Sequence, residues 1–585
     1  MKTSSTRPHL PLDQPLQLTP HLSATPDLHH WQRWTLAFFI LGLAIRCCRY
    51  VLRFPLWEDE CFLGVNIFER SYAALLEPLD RHQVAPILFL WLEKAVTDLL
   101  GFNELALRFP AFLCSIGSLF LFYHVVCRVI SGPARTICLA YFAVSYPAAR
   151  YTAEAKAYGT DLFISLLLVA LLLEWLRHPG QKRWLAGLFL CTPLALGLSF
   201  PAVFTTAGLS LLWLISNLAR RPTNPDRPVP SKPAAKTDEG GGNSSMSQVV
   251  RNSNKQTWGL WLMYNLLIAG SFGLIYIISI EKQMASEIGY MGASWSDTFP
   301  SINPLKFIPW FFVTHTGSFF AHPIGSDNGG STLTFLLCVT GLIALFRNNR
   351  WQVALLLLGP LSMNLAAAML QKFPYGGHVK YSMYAAPMIT LTMGLGMSVL
   401  LNWHAAHRPR RHAQTLTHIV LLVLGCIGTG CLIRDVTHPY KTLSDLRSRA
   451  FAQWFWHNAN FEDEAICVYS DLNRQFSEKT WHELGWSAMF LANKYIYHPD
   501  VIVNSPRHRY LPESQNLLYC VLYRDPAKQD FDQQKFNDWL AQMQQQHDYL
   551  GMDRYPVPRH KKGEQKLLKV NYIEIYKFKK RNSDD

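Results

Sequence analysis

Three carboxylates stand in a row at Glu58, Asp59 and Glu60, in the stretch FPLWEDECFLG, directly after an apolar run of membrane-spanning length. A carboxylate at the edge of a bilayer is poorly hydrated, and like-charged neighbours act in the same direction, so its pKa and basicity rise toward those of a general base. The same residues could simply favour the start of the following helix, where negative charge is stabilised. Three further stretches carry polar groups. LDRHQVAPILFLWLEK places Asp80, His82 and Gln83 at the mouth of an amphipathic segment, with Lys94 further along, where it can snorkel to headgroups. RYTAEAKAYGTDLF crowds Arg150, Glu154, Lys156, Tyr158 and Asp161 into a short turn between apolar runs, and charges so close to a membrane tend to mark function. Lys156 is suited either to a phosphate or to neutralising Glu154. In QKFPYGGHVKYS, Gly376 and Gly377 allow backbone amides to approach a ligand, and His378 and Lys380 offer positive or donor groups, although the same residues also suit a plain turn. His315 and His322 read as packing residues. Together the pattern suits transfer from a phosphate-linked lipid: cations to hold the phosphate and a carboxylate to take the acceptor's proton.

The elements that must position these residues are mostly membrane helices. A crossing needs about 20 apolar residues, and candidate spans fall at 34–53, 106–130, 135–150, 158–176, 184–199, 201–218, 258–279, 331–346, 351–369, 382–402 and 415–434. The fold class is therefore a polytopic α-helical membrane protein of about eleven spans. Residues 31–434 form its transmembrane domain and 435–585 a C-terminal extracytoplasmic α/β domain. In that tail, AICVYSD and NLLYCVLYRD read as buried strands, and LRSRAFAQWFWHNA and FDQQKFNDWLAQMQQQ as amphipathic helices. Basic residues gather in the turns at Arg128/Arg135, Arg177/Lys182/Arg183, Arg347/Arg350 and Arg408/Arg410/Arg411, and in the long linker 219–257. The positive-inside rule makes that side cytoplasmic. The first outer loop, 54–105, a second, 280–330, and the tail then face outward. Residues 1–30 lack an apolar h-region and read as a disordered cytoplasmic leader rather than a signal peptide. The Pro-, Gly- and Ser-rich linker reads as disordered too.

Composition removes other classes. The charged fraction is 16% against 49% hydrophobic, and the net charge of +14 sits in short loops, where membrane orientation accounts for it without nucleic acid. No CxxC pair has zinc-like spacing. Cys467 and Cys520, in the two strand-like runs, suit either a disulfide or buried thiols.

Four motifs together resemble those of the GT-C superfamily of integral-membrane glycosyltransferases, and within it the protein O-mannosyltransferase and aminoarabinose transferase group, glycosyltransferase family 39. They are the acidic pair Asp59-Glu60 after the first span, the polar residue and proline of RHQVAPILFLWLEK, the Tyr-acid-basic-Tyr turn RYTAEAKAYGTDLF, and FPYGGHVKYSMYAAP. The resemblance covers roughly residues 34–434, mostly as topology. It implies a polyprenyl-phosphate sugar donor, inverting displacement at the anomeric carbon, and a lipid, glycan or protein acceptor. By the same resemblance Asp59 is the general base, with Glu60 supporting it and Glu58 competing for the role. His82, Gln83, Tyr158 and Tyr375 line the substrate, Glu154 positions it, and Lys156, His378 and Lys380 hold the phosphate. Relatives often carry Arg where this chain has Lys156 or His378, and Lys lacks the bidentate fork. No nucleotide-sugar cofactor is implied and no metal is assigned, although carboxylates with His suit a divalent cation. The rival readings are a transporter or flippase of lipid-linked sugars, which would place its charges near mid-membrane in repeated halves, and a membrane-anchored scaffold, which leaves the first-loop acids unexplained.

Overall fold

The structure, a computed structural model, describes residues 15–17, 28–219, 243–285, 295–325, 329–458, 466–469, 492–493, 496, 517–524, 531–560 and 567–581. Among the described residues, 8 helices are long and apolar enough to cross a membrane: His30–Val51, Glu104–Val129, Tyr158–Arg177, Ala202–Ala219, Thr257–Met284, Trp351–Met369, Val379–His407 and Arg411–Thr437. Thr332–Arg347 is apolar but shorter. The remaining expected spans also coincide with helices, Lys182–Leu198 and Pro133–Ala143, but the run 135–150 is broken, and a separate helix, Tyr146–Tyr151, completes it. The break has a local cause. Ser145 adopts an extended backbone and hydrogen-bonds His322 Nδ1 at 2.7 Å, and Pro147 lacks the N–H that a continuous helix would use.

The chain divides into two compact units, one of Met1–Cys48, Ala85–Leu90 and Pro110–Ile433, the other of Arg49–Val84, Trp91–Phe109 and Arg434–Asp585. The division near residue 434 falls where the sequence places the start of the tail. Most of the first outer loop, which the sequence reading put with the membrane domain, belongs to the tail's unit, and Ala85–Leu90 to the first.

The first unit is built on close helix contacts. Without a hydrophobic force between helices inside a bilayer, small residues that let backbones approach become the main packing device. A side chain at Gly208 would meet the Gly359 carbonyl carbon at 2.5 Å, so Ala202–Ala219 and Trp351–Met369 cross at a glycine pair. At Gly396 a side chain would collide with the Leu337 carbonyl oxygen, which fixes Val379–His407 against Thr332–Arg347. Packed rings fill the interior, Phe122 stacked on Phe142 at 4.1 Å and Trp175 tilted against Trp213 at 4.4 Å. Within the expected leader, Leu16 is buried, accepts from Ser131 N at 3.1 Å and donates to Val129 O at 2.8 Å. Within the linker, residues 220–242 lie outside the described residues, and Asn243 onward is helical, continuing the helix Asn243–Ile275.

In the second unit the tail forms a 4-stranded sheet in the order β1-β2-β4-β3, with β1 Ile466–Tyr469, β2 Leu517–Arg524, β3 His547–His560 and β4 Leu567–Lys580. β1 and β2 are parallel, the other pairs antiparallel. Helix Gln533–Gln546 lays Phe536 and Trp539 against Tyr576 and Phe578 of β4. The expected strands and helices are present, and the fold class holds. The β3–β4 hairpin was not foreseen, because HDYLGMDRYPVPRH carries two prolines that lack the ladder N–H. They are tolerated because β3 is the sheet edge. Cys520 is buried, and in the β1–β2 register it faces Tyr469 rather than Cys467.

Replacing Gly396 by Ala forces a methyl group into the Leu337 carbonyl. We expect a loss of about 1–3 kcal/mol from overpacking, read as a lower midpoint of thermal unfolding in detergent, whereas Gly270→Ala, where a methyl meets open space, does not lower it.

Candidate functional site

Within the second unit the first-loop acids open the helix Glu58–Glu69. They differ sharply in environment. Glu60 is wholly buried, and its carboxylate is gripped by Arg108 in a bidentate pair, Nε to Oε1 at 2.7 Å and Nη2 to Oε2 at 2.5 Å. Glu60 Oε2 also accepts from Trp57 N at 3.2 Å, fixing the first turn of the helix. Arg108 spends its other donors on the Phe54 carbonyl at 2.6 Å and the Pro55 carbonyl at 3.2 Å. A buried guanidinium therefore pins the chain on both sides of Leu56–Trp57 and leaves Glu60 no role as a mobile base. Glu58 and Asp59 are half-buried. Burial pushes the Glu58 carboxyl up to about 7, with Asp59 and then Asp445 adding to the rise and Lys441 opposing it.

On the following segment, Arg81 and His82 have left-handed backbones, φ 61° and 55°. Such angles are uncommon for residues with side chains and worth a functional hypothesis where they cluster. His82 is exposed at that turn. Gln83 is buried and folds back on its own loop, donating to the Arg81 carbonyl at 3.1 Å. Lys94 donates to the Ile67 carbonyl at 3.4 Å and pairs with Asp98 at 3.2 Å. Next to Lys94 in the chain, Glu93 is wholly buried, and neither carboxylate oxygen has a hydrogen-bond partner. Burial, with Glu60 adding to it, holds its carboxyl well above the usual range, so Glu93 is a neutral acid.

The other predicted residues belong to the first unit. Glu154 is buried in the turn before Tyr158–Arg177, 4.0 Å from Arg150, and its carbonyl accepts from Lys156 N at 2.7 Å. Lys156 and Tyr158 are half-buried, and Tyr158 meets Tyr151 edge-on at 6.0 Å. Asp161 is buried, with Oδ1 unpartnered. Tyr375 is buried and stacks on Phe319 at 4.5 Å. Its hydroxyl meets His315 Nε2 at 3.0 Å, while His315 Nδ1 donates to the Phe311 carbonyl at 2.7 Å. Burial holds His315 down to about 4 and His322 to about 3, so both are neutral packing residues, as their sequence context suggested. Gly376 and Gly377 have φ 85° and 74°, and side chains there would strike Thr314 and Thr298. The turn's own packing therefore accounts for both glycines. His378 is exposed and edges Tyr381 at 6.1 Å, and the Lys380 ammonium lies over the same ring at 5.4 Å. Among the described residues no cluster of three or more His, Cys, Asp or Glu could hold a metal ion.

Residues 84–227 match the family model described as dolichyl-phosphate-mannose-protein mannosyltransferase. This stretch lies within the part of the chain whose motifs resemble those of the GT-C superfamily of membrane glycosyltransferases. Among solved structures the chain is similar to ArnT from Cupriavidus metallidurans bound to undecaprenyl phosphate, with 11% identity and a TM-score of 0.45 over 94% of this chain and 98% of that one. The apo form of the same protein gives 10% identity and 0.47 over 94% and 97%. The Archaeoglobus fulgidus oligosaccharyltransferase in complex with Zn and sulfate gives 11% and 0.43 over 79% of this chain and 61% of that one. No curated protein sequence matches the chain.

The sequence reading missed Arg108 and Lys441. An arginine inside the apolar run ELALRFPAF was the available signal for the first, since a buried guanidinium needs a carboxylate. Because Glu93 is neutral when folded and ionises on unfolding, its contribution to stability is present at acid pH and lost as pH rises above the ordinary carboxylate range. We expect Glu93→Gln to gain on the wild type steadily from about pH 4 to neutrality in thermal melts, whereas a pH-independent difference would show that Glu93 is ionised in the fold. In contrast, Glu60→Gln strands Arg108 and costs about 3–5 kcal/mol.

Proposed function

We propose that the chain transfers a sugar from a polyprenyl-phosphate donor to an envelope lipid, glycan or protein acceptor, with Asp59 as general base. The observation that carries this reading is the division of labour among the first-loop acids. Glu60 is consumed by Arg108 and holds the helix start rigid, so Asp59, one residue before it, is presented half-exposed on a fixed backbone. The superfamily match supports the reaction class. The likeness to a protein bound to undecaprenyl phosphate suggests the donor's chemistry but is not what the proposal rests on.

In the proposed step an acceptor oxygen or nitrogen attacks the anomeric carbon as Asp59 removes its proton. The anomeric C–O bond breaks, and its electron pair leaves with the lipid phosphate. The configuration inverts, because attack and departure occur on opposite faces. Lys156, His378 and Lys380 are assigned to the phosphate, Glu154 to substrate positioning, and His82, Gln83, Tyr158 and Tyr375 to the substrate's surroundings. Lys neutralises phosphate as a point charge rather than a fork, and His378 contributes fully only when protonated. The donor's phosphate already activates the sugar, so no nucleotide cofactor is required.

Asp59→Asn should reduce transfer from a purified polyprenyl-phosphate sugar by at least about a hundredfold with folding intact. Unaltered turnover would remove the base. A flippase would instead show lipid-linked sugar crossing vesicle membranes without any new glycosidic bond.

We also propose that the first loop and the tail face outward at the inner (plasma) membrane. Cysteines introduced at Asp98 and Gln534, both exposed, should react with a membrane-impermeant maleimide on intact cells. Reaction of only one of them would overturn the orientation.

A further inference from the structure

Arg108 is committed to Glu60 and two carbonyls. A second cation comes to the acid helix from the tail. The Lys441 ammonium lies over the ring of Trp57, the residue that opens the helix, 2.7 Å from the ring centroid. Electrostatically it acts on Glu58, which otherwise faces Asp59 and Asp445, both repulsive.

Lys441 is not on a loose arm. Before it, Asp435 makes a buried ion pair with Arg49 at 2.8 Å. Immediately after it, Thr442 and Asp445 bond each other reciprocally, Thr442 N to Asp445 Oδ2 at 2.9 Å and Asp445 N to Thr442 Oγ1 at 3.2 Å, capping the helix Leu443–Asn458. Two turns further on, Arg449 donates to the Arg53 carbonyl at 2.7 Å. The segment 435–449 is therefore tied at both ends to residues 49–53, and these ties hold Lys441 at the start of the acid helix. An indole face, a capped helix and a buried ion pair are more than a solvated lysine needs.

We infer that Lys441 is a positioning residue for the first-loop acids: by holding a cation against Trp57 it lets Glu58 and Asp59 carry charge side by side, so the tail sets the charge state of the acid pair. Adjacent carboxylates resist joint ionisation, and a nearby cation relieves that resistance. The catalytic consequence rests on the proposed role of Asp59, whereas the electrostatic claim does not.

The test separates the two. Full-length protein in nanodiscs is treated with a hydrophobic carbodiimide, which reacts with protonated carboxyls, across a pH series, and Glu58 labelling is followed by peptide mass spectrometry. In Lys441→Met the labelling midpoint should move to higher pH by about one unit, a tenfold change in proton affinity, and Lys441→Arg should restore it. Lys441→Gln serves if the Met variant does not elute as a folded species. Coincident midpoints in folded Lys441→Met and wild type overturn the inference. Transfer assayed over the same series should lose activity on the acid side of its profile in Lys441→Met. A labelling shift with an unmoved transfer profile keeps the electrostatic role of Lys441 and overturns the general-base reading of the acid pair.

Discussion

The site depends on one buried ion pair, Glu60 with Arg108. Burying both charges carries a desolvation cost of several kcal/mol for each ion, and only near-ideal geometry with every remaining donor satisfied repays it. Here the guanidinium meets both carboxylate oxygens and two backbone carbonyls. Such a pair contributes little net stability over an apolar substitute. What it does contribute is geometry. It ties residues 54–60 into one corner, and it takes one acid of the three out of the proposed chemistry, leaving the other two half-buried on a backbone held by those bonds.

Neutral polar networks do the corresponding work in the first unit. His315 links the Phe311 carbonyl to the Tyr375 hydroxyl, and Phe319 covers the Tyr375 ring. This assembly sits directly before Gly376, Gly377, His378 and Lys380, and it holds that turn without any charge. The exposed His378 and the half-buried Lys380 therefore depart from a neutral, well-packed base. Glu93 follows the same rule in the second unit: an acid too deeply placed to ionise stays protonated and leaves the charge balance to Glu60 and Arg108.

Much of this was legible in the chain. Long apolar runs announced the membrane helices because a crossing needs continuous apolar length, and the acid cluster stood out because carboxylates beside a bilayer are costly. Partnerships between distant residues were not legible. Nothing local to WEDE says which acid is taken by Arg108, since the pairing depends on how a later helix crosses the loop. The glycines of FPYGGHVK suggested a ligand cradle, but Thr298 and Thr314 fill the space their missing side chains leave, and that is a tertiary fact. Strand β3 escaped notice because its prolines argue against a strand everywhere except at an edge, and sheet order is not written in any single segment.

The Arg49–Asp435 contact has a consequence for how the molecule is made. Its partners are separated by 386 residues, and the lysine that serves the acid helix lies later still. A chain emerging from the ribosome reaches Glu58 early and Lys441 only after the last membrane helix. Glu60 can therefore meet Arg108 early in synthesis, whereas Arg49 waits for Asp435 and Glu58 for Lys441 until the start of the tail has been made. Premature termination just upstream of residue 435 would release a protein whose membrane helices are largely present but whose Glu58 and Asp59 lack the tail's lysine.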